Sequence, residues 1–244
     1  MSVIYGYKNI KIDNLVFAQP IKLLNGLYNA KLRVPRVNNK EEFDDGLYVQ
    51  IPKMKIVQVN VEGGRKFIEL EFSDESKDFY NFLVNFDNTV LRYVYHNSML
   101  WFNKTEKIPV DELEDKFKSA IRAAKVHGAP ATIRLYILVD DTNKIDINIY
   151  NEQKETIDAN TALKVGMECI GIISIKSLWI SKNNFGYEIN LEQLKVYTGN
   201  KSGKRIKEYM FNELSNSDEE LDLDDPVEIE DYEGVTLKPE NIKN

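Results

Sequence analysis

The chain has 244 residues, 43% of them hydrophobic, and a formal charge of -7. That length suits one large or two small domains with a real core. No run of about 18 apolar residues is present to cross a membrane, and the opening MSVIYGYKNIKID alternates rather than forming an apolar block, so neither a span nor a secretory leader is expected. The single cysteine, Cys169, lies in an apolar run and reads as a small buried hydrophobe of a reducing, intracellular compartment. With His96 and His127 as the only histidines, no zinc-site spacing exists, and neither metal nor cofactor is expected.

Residues 3–12 alternate and predict a first strand. Leu23 to Val37 continues as strand, broken by the turn pair Asn25-Gly26 and ended near Pro35. Leu47 to Val61 predicts a long strand whose phase slips near Pro52, the mark of a bulge or bend. Gly63-Gly64 turns the chain into the alternating Lys66–Phe72. From Ser73 the period changes: Phe79, Phe82, Leu83, Phe86, Val90, Leu91 and Val94 recur at helical spacing, interrupted at most at Asp87-Asn88. Val110–Val126 predicts a second amphipathic helix, with His127 at its end. Thr132–Val139 and Lys144–Tyr150 predict a hairpin, and Met167–Lys182 with Phe185–Tyr197 a longer one. In the longer hairpin the inward phase switches once in each arm, from Ile173/Ile175 to Leu178/Ile180 and from Ile189/Leu191 to Leu194/Val196. Mid-strand switches of this kind turn the corners of small barrels. The fold class is therefore mainly β with inserted α, a small barrel carrying a helical insertion around 73–127.

The end of the chain differs in kind. Residues 212–244 hold twelve acids and two lysines, a charge of -10, leaving residues 1–211 at +3. Such a segment has too little apolar surface to offset its ordering entropy, so a disordered acidic tail is expected. A mildly basic body with an acidic tail points to a polyanion ligand and a built-in competitor for it.

Catalytic patterns are missing. There is no Walker loop and no G-x-S-x-G, and the pairs Asp44-Asp45 and Asp140-Asp141 fall in polar turns; the chain is not expected to be an enzyme. Cations interleaved with aromatic residues are plentiful. Lys31, Arg33 and Arg36, Lys53 and Lys55, Arg65 and Lys66, Lys176 and Lys182, Lys195, and Lys204 with Arg205 fall among Tyr48, Trp179, Tyr187 and Tyr197. Sequence-independent binding of single strands needs these two ingredients, because cations follow phosphates while rings stack on bases. Trp179 sits beside a phase switch, which either turns its ring outward by Lys176 or makes it a plug at the barrel end. The segment Gly199–Lys207 is either a basic arm on the nucleic-acid backbone or a solvated linker.

The residues Gly171–Tyr197 also carry a resemblance, in the strand from Ile175 to Lys182, the Asn-Asn-Phe-Gly turn and the Leu-Lys-Val-Tyr exit. They resemble the last hairpin of the single-stranded DNA-binding proteins of large DNA viruses. These are related to the short-tailed-phage single-stranded DNA-binding protein, an OB fold with an acidic C-terminal tail. The resemblance implies an OB-fold domain over 1–211. It also implies a role coating single-stranded DNA in viral DNA replication, recombination or repair, at the site of that replication in the host cell. It further implies a tail that competes with DNA and recruits replication proteins such as a polymerase or helicase. Residues Asp218, Glu219, Glu220, Asp222, Asp224, Asp225, Glu228, Glu230, Asp231 and Tyr232 would carry that recruitment. The chain departs from the pattern by continuing eleven residues beyond Glu233. Self-association stays open, as does the alternative of a protein-interaction or virion/transcription accessory module.

Overall fold

A computed structural model describes residues 3–24, 26–36, 42–62, 64–124 and 126–197. The chain divides into a unit of Met1–Asn200 and a unit of Lys201–Asn244. The second unit lies outside the described residues. So do the expected tail, with Asp218 through Tyr232, and the candidates Lys204 and Arg205.

The first unit begins with β1 (Ile4–Gly6), two 3-10 turns at Tyr7–Asn9 and Ile12–Asn14, β2 (Val16–Phe17) and β3 (Ile21–Lys22). Then come β4 (Tyr28–Pro35), β5 (Phe43–Asp45), β6 (Leu47–Gln50), β7 (Met54–Glu62) and β8 (Arg65–Glu71). The insertion is α1 (Lys77–Trp101), α2 (Val110–Lys116), β9 (Phe117–Lys118) and β10 (Ile121–Arg122). The chain continues through β11 (Thr132–Ile137), β12 (Asn148–Tyr150), the single turn α3 (Ala159–Ala162), β13 (Glu168–Ile175), β14 (Ser177–Ile180), β15 (Phe185–Tyr187) and β16 (Asn190–Tyr197).

Five strands close into a ring. β7 pairs antiparallel with β8, β8 with β11, β16 with β13 and β13 with β7, while β11 and β16 run parallel. Numbered along the chain, the ring reads 1-2-3-5-4-1 with its third and fifth strands parallel, the connectivity of an OB-fold barrel. Ile56, Ile68, Leu70, Ile133, Leu135, Cys169, Ile173, Leu191, Leu194 and Val196 fill it and are buried. Each such aliphatic side chain contributes roughly 1.5–3 kcal/mol on leaving water. Burial pushes the Cys169 thiol up to about 12.

Of the phase switches read from the sequence, one is a bulge and the other a break between strands. Between Ile172 and Ile173 the β13–β16 register shifts by one residue, which places the extra residue near Glu192 in β16. The other arm breaks at Lys176, where β13 passes into β14 and leaves the barrel. There β14 pairs with β4 and β15, and β15 with β9, in a second sheet that β2, β3 and β5 extend along β4. The closing hairpin thus belongs to both sheets, and its outer face runs continuously from one to the other.

α1 is uninterrupted. Ser73 and Ser76 form a reciprocal cap on the 3-10 turn Asp74–Ser76 that leads into it, and Phe79, Phe82, Leu83, Phe86, Val90 and Val94 bury one face. Asp87, on the same helix, accepts hydrogen bonds from Tyr187 (2.5 Å) and Ser119 (2.5 Å). Burial raises the Asp87 carboxyl above its usual range, against the opposing effect of those two donors.

Several expectations from pattern give way to pairing. Residues 3–12 form three residues of strand and then 3-10 turns, because β1 finds a partner only along Tyr48–Gln50. The second helix ends at Lys116; the following residues are captured as short strands by free edges of β15 and β11. His127 is therefore not at a helix end. Lys144–Tyr150 does not form a ladder with β11. Only a Val139–Ile145 bridge remains of that hairpin, and Asn148–Tyr150 pairs parallel with β16 instead.

Candidate nucleic-acid interface

On β8 and β11 the inward residues are Ile68, Leu70, Ile133, Leu135 and Ile137; the outward ones are Phe67, Glu69, Arg134 and Tyr136. Outward positions pair directly across strands: Tyr48 with Ser174, Ser174 with Asn190, Asn190 with Tyr136 and Tyr136 with Phe67. This line crosses the barrel wall from β6 to β8. Three of its members are aromatic, and each carries a cation, but Phe67 is 2% exposed and closed to a ligand, whereas Tyr48 and Tyr136 are half-buried. The Arg134 guanidinium lies 3.7 Å from the centre of the Phe67 ring, Arg65 lies 4.0 Å from Tyr136, and Lys176 Nζ lies 5.6 Å from Tyr48. Pairs of this kind contribute about 0.5–2 kcal/mol, more as water is excluded.

Trp179 joins this wall to the second sheet. Its neighbours Leu178 and Ile180 are buried in the core while the indole is half-buried on the opposite face. Beside it lie Asn29 on β4 and Gly186 on β15, with Lys118 beyond on β9. Gly186 is needed here, because a Cβ would stand 2.5 Å from the Lys118 carbonyl oxygen and 3.1 Å from the indole. Two clefts meet at Trp179 and Glu188. One, of about 320 Å3, is lined by Leu23, Leu27, Asn29, Arg65, Lys176, Ser177 and Asn190; the other, of about 120 Å3, includes Lys118, Arg122, Arg134 and Tyr136. Lys31 and Arg33 are exposed further along β4 on the side that Asn29 occupies. The outward reading of Trp179 is the one the fold adopts.

Three cations of this face are held by carboxylates. Glu188 meets Arg65 at 2.5 Å, Glu192 meets Lys176 at 2.8 Å, and Glu69 holds Arg134 at 2.8 Å. The Glu188 hydrogen bond holds the Arg65 guanidinium above its ordinary range. Burial pulls Lys176 down, but Glu192 and the Tyr48 hydroxyl outweigh it and leave its ammonium raised. The first 200 residues contain 26 basic and 26 acidic side chains. The +3 of residues 1–211 therefore comes entirely from residues 201–211.

The remaining candidates scatter. Lys53 and Lys195 flank the Tyr197 ring at 4.7 and 5.3 Å. Glu168 pairs with Lys53 at 2.5 Å, and Lys55 with Glu71 at 3.6 Å. This second cluster lies seven residues along β16 from Asn190, about 20 Å away. Arg36 is bound to Asp44 and Glu42 on another side of the molecule, facing a cavity with Tyr5 and Lys11. Lys66 donates to the Asn143 carbonyl at 2.8 Å, and Lys182 is exposed in the β14–β15 turn. Tyr187 borders the smaller cleft but does not open its ring face to it. It is 4% exposed, packs edge-on against Phe86 and donates to Asp87, so its ring is closed to a base and serves as a strut between β15 and α1. Burial, then the Asp87 charge, pushes its phenol well above the ordinary value.

Pattern reading missed Phe67, Tyr136, Arg134, Arg122 and Lys118. The alternation of Thr132–Ile137 does set Thr132, Arg134 and Tyr136 opposite Ile133, Leu135 and Ile137. Only the cross-strand register sets them beside Phe67 and Arg65. Among the described residues no cluster of His, Cys, Asp and Glu has metal-binding geometry, and no helix is long and apolar enough to cross a membrane.

No family model matches the chain, and no curated protein is detectably similar to it in sequence. Among solved structures, gp2.5, a single-stranded DNA-binding protein encoded by bacteriophage T7, aligns at a TM-score of 0.42 and 8% identity over 62% of this chain and 91% of that one. The single-stranded DNA-binding protein from bacteriophage Enc34 aligns at 0.41 and 10% identity over 74% and 88%. Both are too distant to lend residue roles, and the barrel assignment rests on the strand connectivity itself.

Proposed function

We propose that this protein binds single-stranded DNA without reading its sequence, through the outer wall of its OB-fold barrel. The supporting observation is the pair of half-buried rings with exposed cations, Tyr48 with Lys176 and Tyr136 with Arg65, continued by Trp179, while Phe67 under Arg134 is buried in the wall and supports it. OB folds use the face of their second and third strands, here β8 and β11, and the loops beside it for oligonucleotides. Rings that accept any base, with cations at phosphate distance, suit a ligand held without hydrogen-bond readout of base edges.

In the fuller reading the protein coats single strands during DNA replication, recombination or repair, as in the viral proteins whose last hairpin it resembles. Residues 1–211 form the binding domain, with Lys204 and Arg205 extending it as a basic arm. Residues 212–244 compete for the cations when DNA is absent and dock replication proteins. The reading places the protein inside a cell and gives it no catalytic step.

Titration of the full-length chain and of a chain ending at Phe211 with single- and double-stranded oligonucleotides tests this. Single strands bind tightly and duplex weakly, affinity falls with salt, and removal of the tail tightens binding. If neither chain binds a dT oligonucleotide at low salt, the proposal is wrong.

A further inference from the structure

Two exposed cations of the candidate interface, Arg65 and Lys176, are each neutralised by a carboxylate from the closing strands. Arg65 and Glu188 are 123 positions apart and meet at 2.5 Å; Lys176 and Glu192 meet at 2.8 Å. In both cases the cation contacts a ring as well as the acid. Both acids are partly exposed, at 38% and 22% of their side chains, whereas Glu69 beneath Arg134 is at 11% and belongs to the wall itself. Structural pairing does not explain Arg65–Glu188, since an ion pair open to water contributes only about 0–1 kcal/mol. Glu192 has a structural bond as well, accepting from the buried Ser174 hydroxyl at 2.5 Å, a bond that a glutamine carbonyl can also accept. What the acids do change is the charge of the face. A cation that already holds a carboxylate releases no net counterion from DNA, so the face gains little from phosphates alone and depends on stacking. Duplex offers phosphates with its bases enclosed, while single strands offer both.

Building on the proposed binding function, we propose that Glu188 and Glu192 are specificity residues. They suppress the sequence-independent attraction of duplex and other polyanions, and so leave exposed bases as the criterion for binding.

The test compares the full-length protein with its Glu188→Gln/Glu192→Gln variant on a dT oligonucleotide and on duplex of equal length. Two freed cations steepen the dependence of log affinity on log salt by about 1.4 for single strands and about 1.8 for duplex. Between about 50 and 200 mM salt the variant then loses about sevenfold more affinity for single strands than the wild type does, and about twelvefold more for duplex. At about 50 mM the preference for single strands narrows about threefold. The charge-neutral exchange Arg65→Gln/Glu188→Gln leaves the salt dependence at the wild-type value, and a thermal melt verifies the fold of each variant. An unchanged slope in Glu188→Gln/Glu192→Gln, or a loss of single-strand binding by that variant while it is folded, overturns the inference. Failure of the wild type to bind single strands would instead refute the function on which it rests.

Discussion

Replacing Trp179 with alanine removes the ring that joins the barrel wall to the second sheet. The indole is half-buried, lies against Gly186 and borders both clefts, so its free face is the largest flat apolar surface available to a base there. Loss of one base-stacking ring costs about 1–3 kcal/mol, which raises the Kd for a dT oligonucleotide between about fivefold and 150-fold. Stacking carries no charge, so the salt slope stays the same while the whole line shifts down. Trp179→Phe, which keeps a smaller ring, falls between. Anisotropy of a labelled dT oligonucleotide gives the affinity of each variant, and intrinsic fluorescence adds a local probe, because the other tryptophan, Trp101, is 8% exposed and donates its indole N–H to Gln19 at 3.3 Å. In a Trp101→Phe background the emission reports Trp179 alone, and its quenching on titration reads binding at the site. An affinity within twofold of wild type for Trp179→Ala, or a change confined to the salt slope, would refute a stacking role.

Other expectations follow from the packing. Gly186→Ala forces its Cβ against the Lys118 carbonyl and detaches β9 from β15; overpacking of this kind costs about 1–3 kcal/mol, read as a Tm lower by several degrees in a calorimetric melt. Tyr187→Phe leaves the buried Asp87 carboxylate with one donor fewer and destabilises by about 1–3 kcal/mol in a urea titration. Asp87 itself titrates in the opposite sense to a salt-bridged acid. Its folded pKa is raised, so the stability it contributes is present at low pH and lost as pH rises through the raised value. The stability of Asp87→Asn relative to wild type therefore increases with pH across that window, and a difference that stays flat from acid to neutral pH would contradict the assigned burial effect. The Cys169 thiol, buried and pushed up to about 12, reacts with a disulfide reagent only as fast as the barrel unfolds; rapid labelling of the native protein would place it outside the core.

Much of the barrel is legible in the chain, for a local reason. The break near Pro52, the phase switches at Lys176 and Glu192, and the helix from Lys77 are written in runs whose alternation or period is set by neighbours a few residues away. The outward setting of Trp179 follows from Leu178 and Ile180 on either side. What stays illegible depends on partners distant in sequence. Nothing near Arg65 announces Glu188, and nothing near Tyr136 announces Phe67, because a sheet register brings them together. Residues 117–122 continue a helical pattern but take strand geometry because two sheet edges lie open to them, where ladder hydrogen bonds outweigh helix propensity. Tyr187 looks like its outward neighbours in the sequence, yet it occupies the core side of β15 because Asp87 and Phe86 on α1 receive it. The charge split of the sequence also changes meaning: the barrel is neutral, and the basic surplus belongs to the segment between it and the acidic end.

Photo-crosslinking of a dT oligonucleotide to the full-length protein, followed by mass spectrometric mapping, tests the central claim most directly. The account predicts adducts on Trp179 and Tyr136, with Tyr48 beside them, and their loss when unlabelled single strand but not duplex competes. Adducts confined to Tyr197 or to the face around Tyr5 and Arg36, or no adduct under conditions where the oligonucleotide binds, would contradict it.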